Sequence, residues 1–131
     1  MEVRIGYWTP LEGFREPTQL LELAVRAEKS GFEMTAASDH FHPWTHQGAH
    51  CVFPWTWLSS LLARTRKTIV GTACTTPTMR YNPAIVAQAF GSMGAMYPGR
   101  VFLSLGTGEK LNEEPVGFDW PEFEVRKEMF E

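Results

Sequence analysis

The sequence predicts an α/β fold with parallel strands, and three features carry this prediction. Short apolar segments rich in β-branched residues recur about every 30 to 35 positions. Between them lie segments whose apolar side chains are spaced three and four positions apart, as on one face of a helix. Glycine and proline separate the two kinds of segment. Strands that alternate with helices in this way pair in parallel through right-handed crossovers.

Four predicted strands and four predicted helices follow from this pattern. We place the strands at 3–8, 32–38, 68–73 and 101–105. We place the helices at 17–30, 55–63 and 84–97, with a fourth beginning near Glu122. The third helix is predicted to bury one apolar face, made of Ile85, Val86, Ala89, Phe90, Met93 and Met96. The segments 39–54 and 106–121 are predicted to be loops.

The number of units relative to the length predicts part of a barrel. A (β/α)8 barrel takes roughly 250 residues, whereas this chain has 131. Residues 1–131 are therefore predicted to be a single partial domain, the first half of such a barrel. A complete doubly wound sheet is the alternative. Half a barrel leaves its first and fourth strands with unpaired edges, so we expect the chain to be marginal alone or to pair with more protein.

Composition argues against several classes of protein. The net charge is −3 and no cluster of lysine and arginine stands out, so nucleic acid is not an expected partner. No apolar run approaches the roughly 20 residues needed to cross a bilayer. The first residues lack the basic and then apolar pattern of a signal peptide. We therefore expect a cytoplasmic protein in which Cys51 and Cys74 are reduced thiols.

Candidate catalytic residues follow the predicted strands, because functional groups of parallel α/β folds collect at the carboxyl ends of the strands. His40 is the strongest candidate, since an imidazole can take or give a proton near neutral pH. Glu109 follows the fourth strand and could form a proton-transfer pair with His40 across one pocket. The alternatives are a histidine that only bonds a loop and a carboxylate that is only solvated.

Neighbouring residues could form the wall of the same pocket. Asp39 could bind a ligand hydroxyl or cap the following turn. Trp44 could stack on a flat ligand or cover the core. The sequence Gly106-Thr107-Gly108 could bring backbone N–H groups to an anion or a ring carbonyl, or could be a plain tight turn.

A metal site is a competing interpretation of the segment after the second strand. Imidazoles and a thiolate are good zinc ligands, and five such residues fall within twelve positions. They are His40, His42, His46, His50 and Cys51. No second cysteine pair completes a usual structural site, so we predict no metal.

Long segments of the chain resemble the family of coenzyme F420-dependent glucose-6-phosphate dehydrogenases, within the broader group of bacterial-luciferase-like barrels. The resemblance runs from Gly6 to Glu122 and is mostly ungapped. Its clearest segments are SDHFHPWTHQG at 38–48, TPTMRYNP at 76–83, AQAF at 87–90, YPGRVFL at 97–103, GTGE at 106–109 and LNE at 111–113.

This resemblance implies a homodimeric, cytoplasmic barrel of more than twice this length. It implies a reaction in which hydride passes from C1 of glucose 6-phosphate to C5 of coenzyme F420, an 8-hydroxy-5-deazaflavin, giving a lactone. It also implies roles for individual residues. His40 and Glu109 would transfer protons, and Trp44 would steady the charge beside the ring. The residues that would hold the coenzyme are Asp39, Thr76, Thr107, Gly108 and Asn112.

The sequence departs from the family pattern at several points. Ala73-Cys74 stands where the family has a non-proline cis bond, so a cis bond here is a hypothesis. The loop 8–11 differs on the substrate side. The cationic residues that hold the sugar phosphate in the family come from its second half. Three alternatives follow: the same coenzyme with a secondary alcohol or a reduced pterin as substrate, an inactive module for folding or dimerisation, or completion by another half-barrel.

Overall fold

A computed structural model describes residues 3–13, 15–45 and 47–131, and it confirms the predicted alternation of strands and helices. The strands are β1 (Gly6–Thr9), β2 (Glu12–Gly13), β3 (Met34–Ala37), β4 (His50–Cys51), β5 (Ile69–Thr75) and β6 (Val101–Leu105). The helices are α1 (Pro17–Lys29), α2 (Pro54–Arg64), α3 (Pro83–Met96), α4 (Lys110–Glu113) and α5 (Phe123–Phe130), with a 3-10 turn at Glu114–Val116.

The main sheet has the strand order of a barrel. Its strands lie in the order β1-β3-β5-β6 and all pair in parallel. Each new strand is thus added on the same side of the previous one. A doubly wound sheet instead reverses direction partway along the chain, so the observed order favours the barrel. None of the helices in the described ranges is long and apolar enough to cross a membrane.

The core lies between the sheet and the helices that cover one of its faces. It combines the apolar faces of α1, α2 and α3 with alternate side chains of the strands. Its buried members are Leu11, Leu20, Leu21, Ala24, Ala37, Trp55, Trp57, Leu58, Leu61, Leu62, Val70, Val86, Phe90 and Met93. Strands β5 and β6 approach closely at Gly71, where an added Cβ would overlap the carbonyl oxygen of Phe102.

Some predicted elements need correction. The predicted face of α3 is wrong at its two ends, since Ile85 and Met96 are 52% and 63% exposed. This helix is apolar nearly all round, so periodicity could not single out one stripe. The first strand begins not at residue 3 but at Gly6, the first residue that pairs with β3.

The predicted loops also contain short elements. The first loop includes β4, which pairs antiparallel with β2 through Glu12 opposite Cys51 and Gly13 opposite His50. The second loop includes α4 and the 3-10 turn. A two-residue strand has no period to detect, and tertiary contacts define it.

The segment that leads into β5 is held from two sides. The Glu28 carboxylate accepts hydrogen bonds from the backbone N–H groups of Arg66, Lys67 and Thr68 at 2.9, 2.6 and 2.9 Å. Arg100 donates to the Thr65 carbonyl at 2.9 Å, to Thr65 Oγ1 at 2.7 Å and to the Thr68 carbonyl at 3.2 Å. These contacts fix the end of α2 and the start of β5, and with them the register of the sheet.

Candidate active site

The carboxyl ends of β3, β5 and β6 surround one cavity of about 300 Å³. Every predicted site residue except Trp44 lines it, which brings together groups up to 73 positions apart in the sequence. The lining residues are Asp39, His40, Ala73, Cys74, Thr76, Gly106, Thr107, Gly108, Glu109 and Asn112. Parallel pairing of neighbouring strands places their carboxyl ends at one edge, and the cavity follows from that.

His40 and Glu109 face each other at this cavity. Nε2 of His40 lies 3.6 Å from Oε2 of Glu109, and their side chains are 11% and 57% exposed. This separation exceeds the ~3.2 Å limit of a good N–H···O hydrogen bond, yet it lies within the range of an ion pair. Among the described residues, the buried Nδ1 of His40 has no hydrogen-bond partner. Proton exchange with a ligand would therefore occur through Nε2.

Trp44 lies beside the imidazole rather than in the core. Its ring centroid is 5.5 Å from that of His40, and the planes meet at 65°. The residue is 63% exposed, so most of the indole surface is available to a ligand. Trp44 is thus placed as a wall next to His40, and its predicted role in steadying charge stays a prediction.

The backbone around His40 is held by residues distant in sequence. Oδ1 of Asn112 accepts from the N–H of Phe41 at 2.9 Å and from that of His42 at 3.3 Å. The Cys51 thiol donates to the His40 carbonyl at 3.2 Å. Burial raises the pKa of Cys51 to about 11, and the Glu12 carboxylate adds to this rise, so at neutral pH the thiol keeps the proton it donates.

Asp39 lies beneath the cavity with its carboxylate already bonded within the protein. It accepts from Oγ1 of Thr75 at 2.6 Å, from the hydroxyl of Tyr81 at 3.0 Å and from Nη2 of Arg80 at 3.1 Å. Burial raises the pKa of Tyr81, and the negative charge of Asp39 raises it further, so the phenol remains a donor. Asp39 thus organises the residues below the cavity, while its predicted contact with a coenzyme stays a prediction.

The cavity wall contains backbone where side chains would intrude. Gly108 has φ of +92°, and a Cβ added there would lie 3.0 Å from Cγ2 of Thr76. A Cβ on Gly106 would lie 3.3 Å from Cβ of Cys74. The Ala73-Cys74 peptide bond is cis, as hypothesised. The two glycines leave a surface that a flat ring can approach closely, which fits a deazaflavin.

A second, larger cavity of about 460 Å³ also reaches His40. Its lining is mainly aromatic and includes neither the glycines that follow β6 nor Glu109. The residues are His40, Phe41, Cys51, Phe53, Arg80, Tyr81, Val116 and Phe118. The smaller cavity is therefore the one that combines a proton-transfer pair with exposed backbone.

The histidines of the competing metal interpretation point to other partners. Nε2 of His50 lies 2.6 Å from the carbonyl oxygen of Arg15, and Nδ1 of His42 lies 2.7 Å from that of Pro43. In the ranges that the structure describes, no three His, Cys, Asp or Glu side chains are grouped to hold a metal ion. His46 lies outside the described residues.

Sequence reasoning missed three residues beneath the site, namely Arg80, Tyr81 and Glu113. Arg80 and Tyr81 follow β5, where strand-end position could have singled them out. Glu113 is completely buried, although it occurs in a polar segment predicted to be a loop. Local sequence gives no sign that a glutamate in such a segment is buried.

Comparisons with known proteins agree with this geometry. Residues 3–128 match the family model described as luciferase-like monooxygenase. The F420-dependent glucose-6-phosphate dehydrogenases of Gordonia bronchialis and Mycobacterium tuberculosis are each 50% identical to the chain over 127 residues, which is 95% of this chain and 37% and 38% of theirs. The chain thus spans well under half the length of these curated relatives.

Solved structures share the same arrangement of strands and helices. An F420-dependent secondary alcohol dehydrogenase in complex with an F420-acetone adduct superposes with a TM-score of 0.95 at 47% identity, covering 99% of this chain and 39% of that one. A coenzyme F420-dependent tetrahydromethanopterin reductase from Methanopyrus kandleri has a TM-score of 0.75 at 24% identity, over 92% of this chain and 31% of that one, and it shows the fold alone. The family model, the relatives and the strand order agree, and the chain belongs to the luciferase-like family of barrel proteins.

Proposed function

We propose that this chain carries the coenzyme side of an F420-dependent dehydrogenase that oxidises a CH–OH group, with glucose 6-phosphate as the substrate. One observation carries the proposal most directly. His40, Glu109 and the glycine-bearing backbone after β6 converge on one cavity, in a chain that is 50% identical to glucose-6-phosphate dehydrogenases using this coenzyme.

The cavity suits a deazaflavin on two counts. Gly106 and Gly108 leave backbone accessible. Polar groups of Thr76, Thr107 and Asn112 line the same space. When bound, the coenzyme supplies the hydride acceptor, and the protein supplies orientation.

Proton transfer is assigned to His40 with help from Glu109. Loss of hydride from a carbon makes the hydroxyl on that carbon acidic, so a base must take its proton as the carbonyl forms. Nε2 of His40 is the base, because it faces the cavity and Nδ1 does not. The Glu109 carboxylate at 3.6 Å stabilises the imidazolium that results. Trp44 shields this pair and offers its face to the substrate.

The choice of sugar phosphate over another alcohol rests on the relatives. A secondary alcohol is the second candidate, because the alcohol dehydrogenase superposes on 99% of this chain. The stretch from Pro43 to Gly48 resembles the sugar dehydrogenases and favours the first candidate. The proposal includes a homodimer, or completion by another half-barrel, and a location in the cytoplasm.

A titration tests this proposal. Oxidised coenzyme F420 is added while its absorbance is followed, and then glucose 6-phosphate or 2-propanol is added. Saturable binding followed by bleaching with the sugar phosphate is expected. Bleaching with 2-propanol but not with glucose 6-phosphate would favour a secondary alcohol as the substrate. A folded chain that binds no coenzyme would contradict the proposal and favour an inactive folding or dimerisation module.

Variants separate the base from the rest of the site. His40→Gln is expected to bind coenzyme but to lose at least a hundredfold in turnover, within the range that acid–base catalysis contributes, about 10²–10⁴. His50→Gln is the matched control, since His50 does not line the cavity. Equal rates for His40→Gln and the unaltered protein would remove His40 from this role.

A further inference from the structure

Arg80 connects the three chain segments that build the cavity. Its Nη2 donates to the carbonyl oxygen of Asp39 at 3.0 Å and to Oδ1 of the same residue at 3.1 Å. Its backbone N–H donates to Oε2 of Glu113 at 2.9 Å. Arg80 lies after β5, Asp39 lies after β3, and Glu113 ends α4 after β6. One residue therefore contacts the other two strand-end segments directly.

This contact lies in an interior that exposes little of it to water. The Arg80 side chain is 8% exposed, and those of Asp39 and Glu113 are 0% exposed. The Arg80 guanidinium is thus the shared cationic partner of the Asp39 and Glu113 carboxylates. Burial raises the pKa of Glu113 even though Arg80 lies beside it. Oε1 of Glu113, at 4.0 Å from Nε of Arg80, makes no hydrogen bond within the described residues.

Stability alone is a poor explanation for such a cluster. Removing charges from water costs several kcal/mol per ion, and well-packed apolar residues often serve folding equally well. What a planar guanidinium does well is to fix geometry, because its donors form a rigid fork. The geometry fixed here is that of the peptide immediately before His40.

The contacts form a closed ring that includes the backbone of His40. Arg80 holds the Asp39 carbonyl on one side of His40, and Asn112 holds the N–H of Phe41 on the other. Asn112 and Glu113 are neighbours on α4, and Glu109 is the residue that precedes this helix. Movement of Arg80 would therefore change where His40 lies relative to Glu109.

We propose that Arg80, together with Glu113, is a positioning residue that sets the separation of His40 Nε2 and Glu109 Oε2. Arg80 does not line the coenzyme cavity and acts only through Asp39 and α4. The kinetic consequence of this inference rests on the proposed function, whereas the structural consequence does not.

The test uses two variants that keep most of the packing. Arg80→Lys keeps the positive charge, so the variant is expected to fold. It loses the rigid fork of donors that the guanidinium provides. Glu113→Gln keeps an acceptor for the Arg80 N–H and relieves the excess of negative charge. Arg26→Met, on the exposed side of α1, is the control. Well-dispersed amide NMR signals and an unaltered far-UV circular dichroism spectrum establish that each variant is folded.

The first measurement is the NMR spectrum of the histidine rings, with the His40 signals identified by their loss in His40→Gln. Arg80→Lys and Glu113→Gln are each expected to move or broaden the His40 signals, and Arg26→Met is expected to leave them in place. This readout needs no coenzyme. A folded variant of either kind with unmoved His40 signals would overturn the proposal.

The second measurement is turnover of glucose 6-phosphate with coenzyme F420. Because small misplacements of reacting groups can cost about 10²-fold in rate, Arg80→Lys is expected to lower kcat by roughly tenfold or more while the substrate KM changes little. An unchanged kcat in folded Arg80→Lys would also overturn the proposal. If the unaltered protein itself shows no turnover, the proposed function fails, and the NMR result alone decides the positioning role.

Discussion

The imidazole of His40 forms no hydrogen bond within the described residues that would fix its ring. Its edge-to-face contact with Trp44 and the peptide groups around it do so instead. The chemistry of a single residue thus depends on how firmly its backbone is held. The same dependence on backbone applies to Gly108, which brings its peptide close to the cavity.

Gly108→Ala tests whether that close backbone approach serves the coenzyme. At φ of +92°, an alanine is strained by about 1 kcal/mol. Its Cβ would also press on Cγ2 of Thr76 at the cavity wall. We expect weaker coenzyme binding in an absorbance titration, together with a lower melting temperature.

Gly117→Ala provides the matched control for this substitution. Gly117 has a similar φ of +94°, but nothing lies within 4 Å of an added Cβ. It should lower the melting temperature by a similar amount and leave coenzyme affinity unchanged. Equal losses of affinity in both variants would assign the effect to strain and would contradict a close approach of the coenzyme to Gly108.

Position after a strand was enough to bring His40, Glu109 and the residues that follow β6 to one cavity, while their roles stay predictions. It was not enough for Arg80 and Glu113, because their importance depends on burial of charge, which only the packed structure reveals. Asp39 is a further residue whose buried contacts the sequence could not reveal. Its strand-end position was correctly read, but its three internal hydrogen bonds could not be inferred from the sequence.

Among the elements, α1 and β5 are joined through one carboxylate. The three N–H groups of Thr68, Lys67 and Arg66 outweigh the effect of partial burial and hold the pKa of Glu28 below its ordinary value of 4.5. A carboxylate with a lowered folded-state pKa stabilises the protein at pH values above its unfolded pKa. That contribution is lost as the pH falls through the folded-state pKa.

Glu28→Gln should therefore destabilise the protein in a pH-dependent way. At pH 7 we expect a loss of about 1 kcal/mol, since an amide oxygen accepts these hydrogen bonds more weakly than a carboxylate. The difference from the unaltered protein should shrink as the pH falls below about 4.5, where an unfolded glutamate is protonated. Thermal melts between pH 3 and pH 7 measure this, with exposed Glu22→Gln on α1 as the control. A constant difference across this range would contradict the assignment.

Periodicity predicted the longer elements because each must bury one face. It located α1, α2, β5 and β6 to within about two residues, which is the usual precision for element boundaries. It failed where an element is too short to have a period, as in β2 and β4. It located α3 but not the whole of its buried face, because that helix is apolar on nearly all sides.

In the molecule as a whole, the sheet described here has two open edges, at β1 and at β6. Large apolar side chains in the strands are also exposed, including Trp8 at 49% and Leu105 at 45%. Unpaired strand edges next to apolar surface promote association. The strand order follows from the barrel, which the number of units relative to the length favoured, whereas the residues that cover these edges could not be predicted.

The chain by itself is therefore expected to self-associate or to unfold without a sharp transition. Light scattering coupled to size-exclusion chromatography, over a hundredfold range of concentration, measures the first, and calorimetry measures the second. A concentrated sample that remains monomeric and melts cooperatively would contradict this expectation. An exposed substitution on α1, Arg26→Met, should change neither result.

The two cysteines differ in a way that makes the protein easy to label at one place. Only the thiolate attacks an alkylating reagent. Cys51, with its pKa of about 11, is almost entirely protonated at pH 7. Its thiol also donates a hydrogen bond to the His40 carbonyl. Cys74 is exposed at the cavity. A brief treatment with a maleimide dye should add one label, found by mass spectrometry on the peptide that contains Cys74, and Cys74→Ser should remain unlabelled. Such a dye would report directly on whatever enters the cavity.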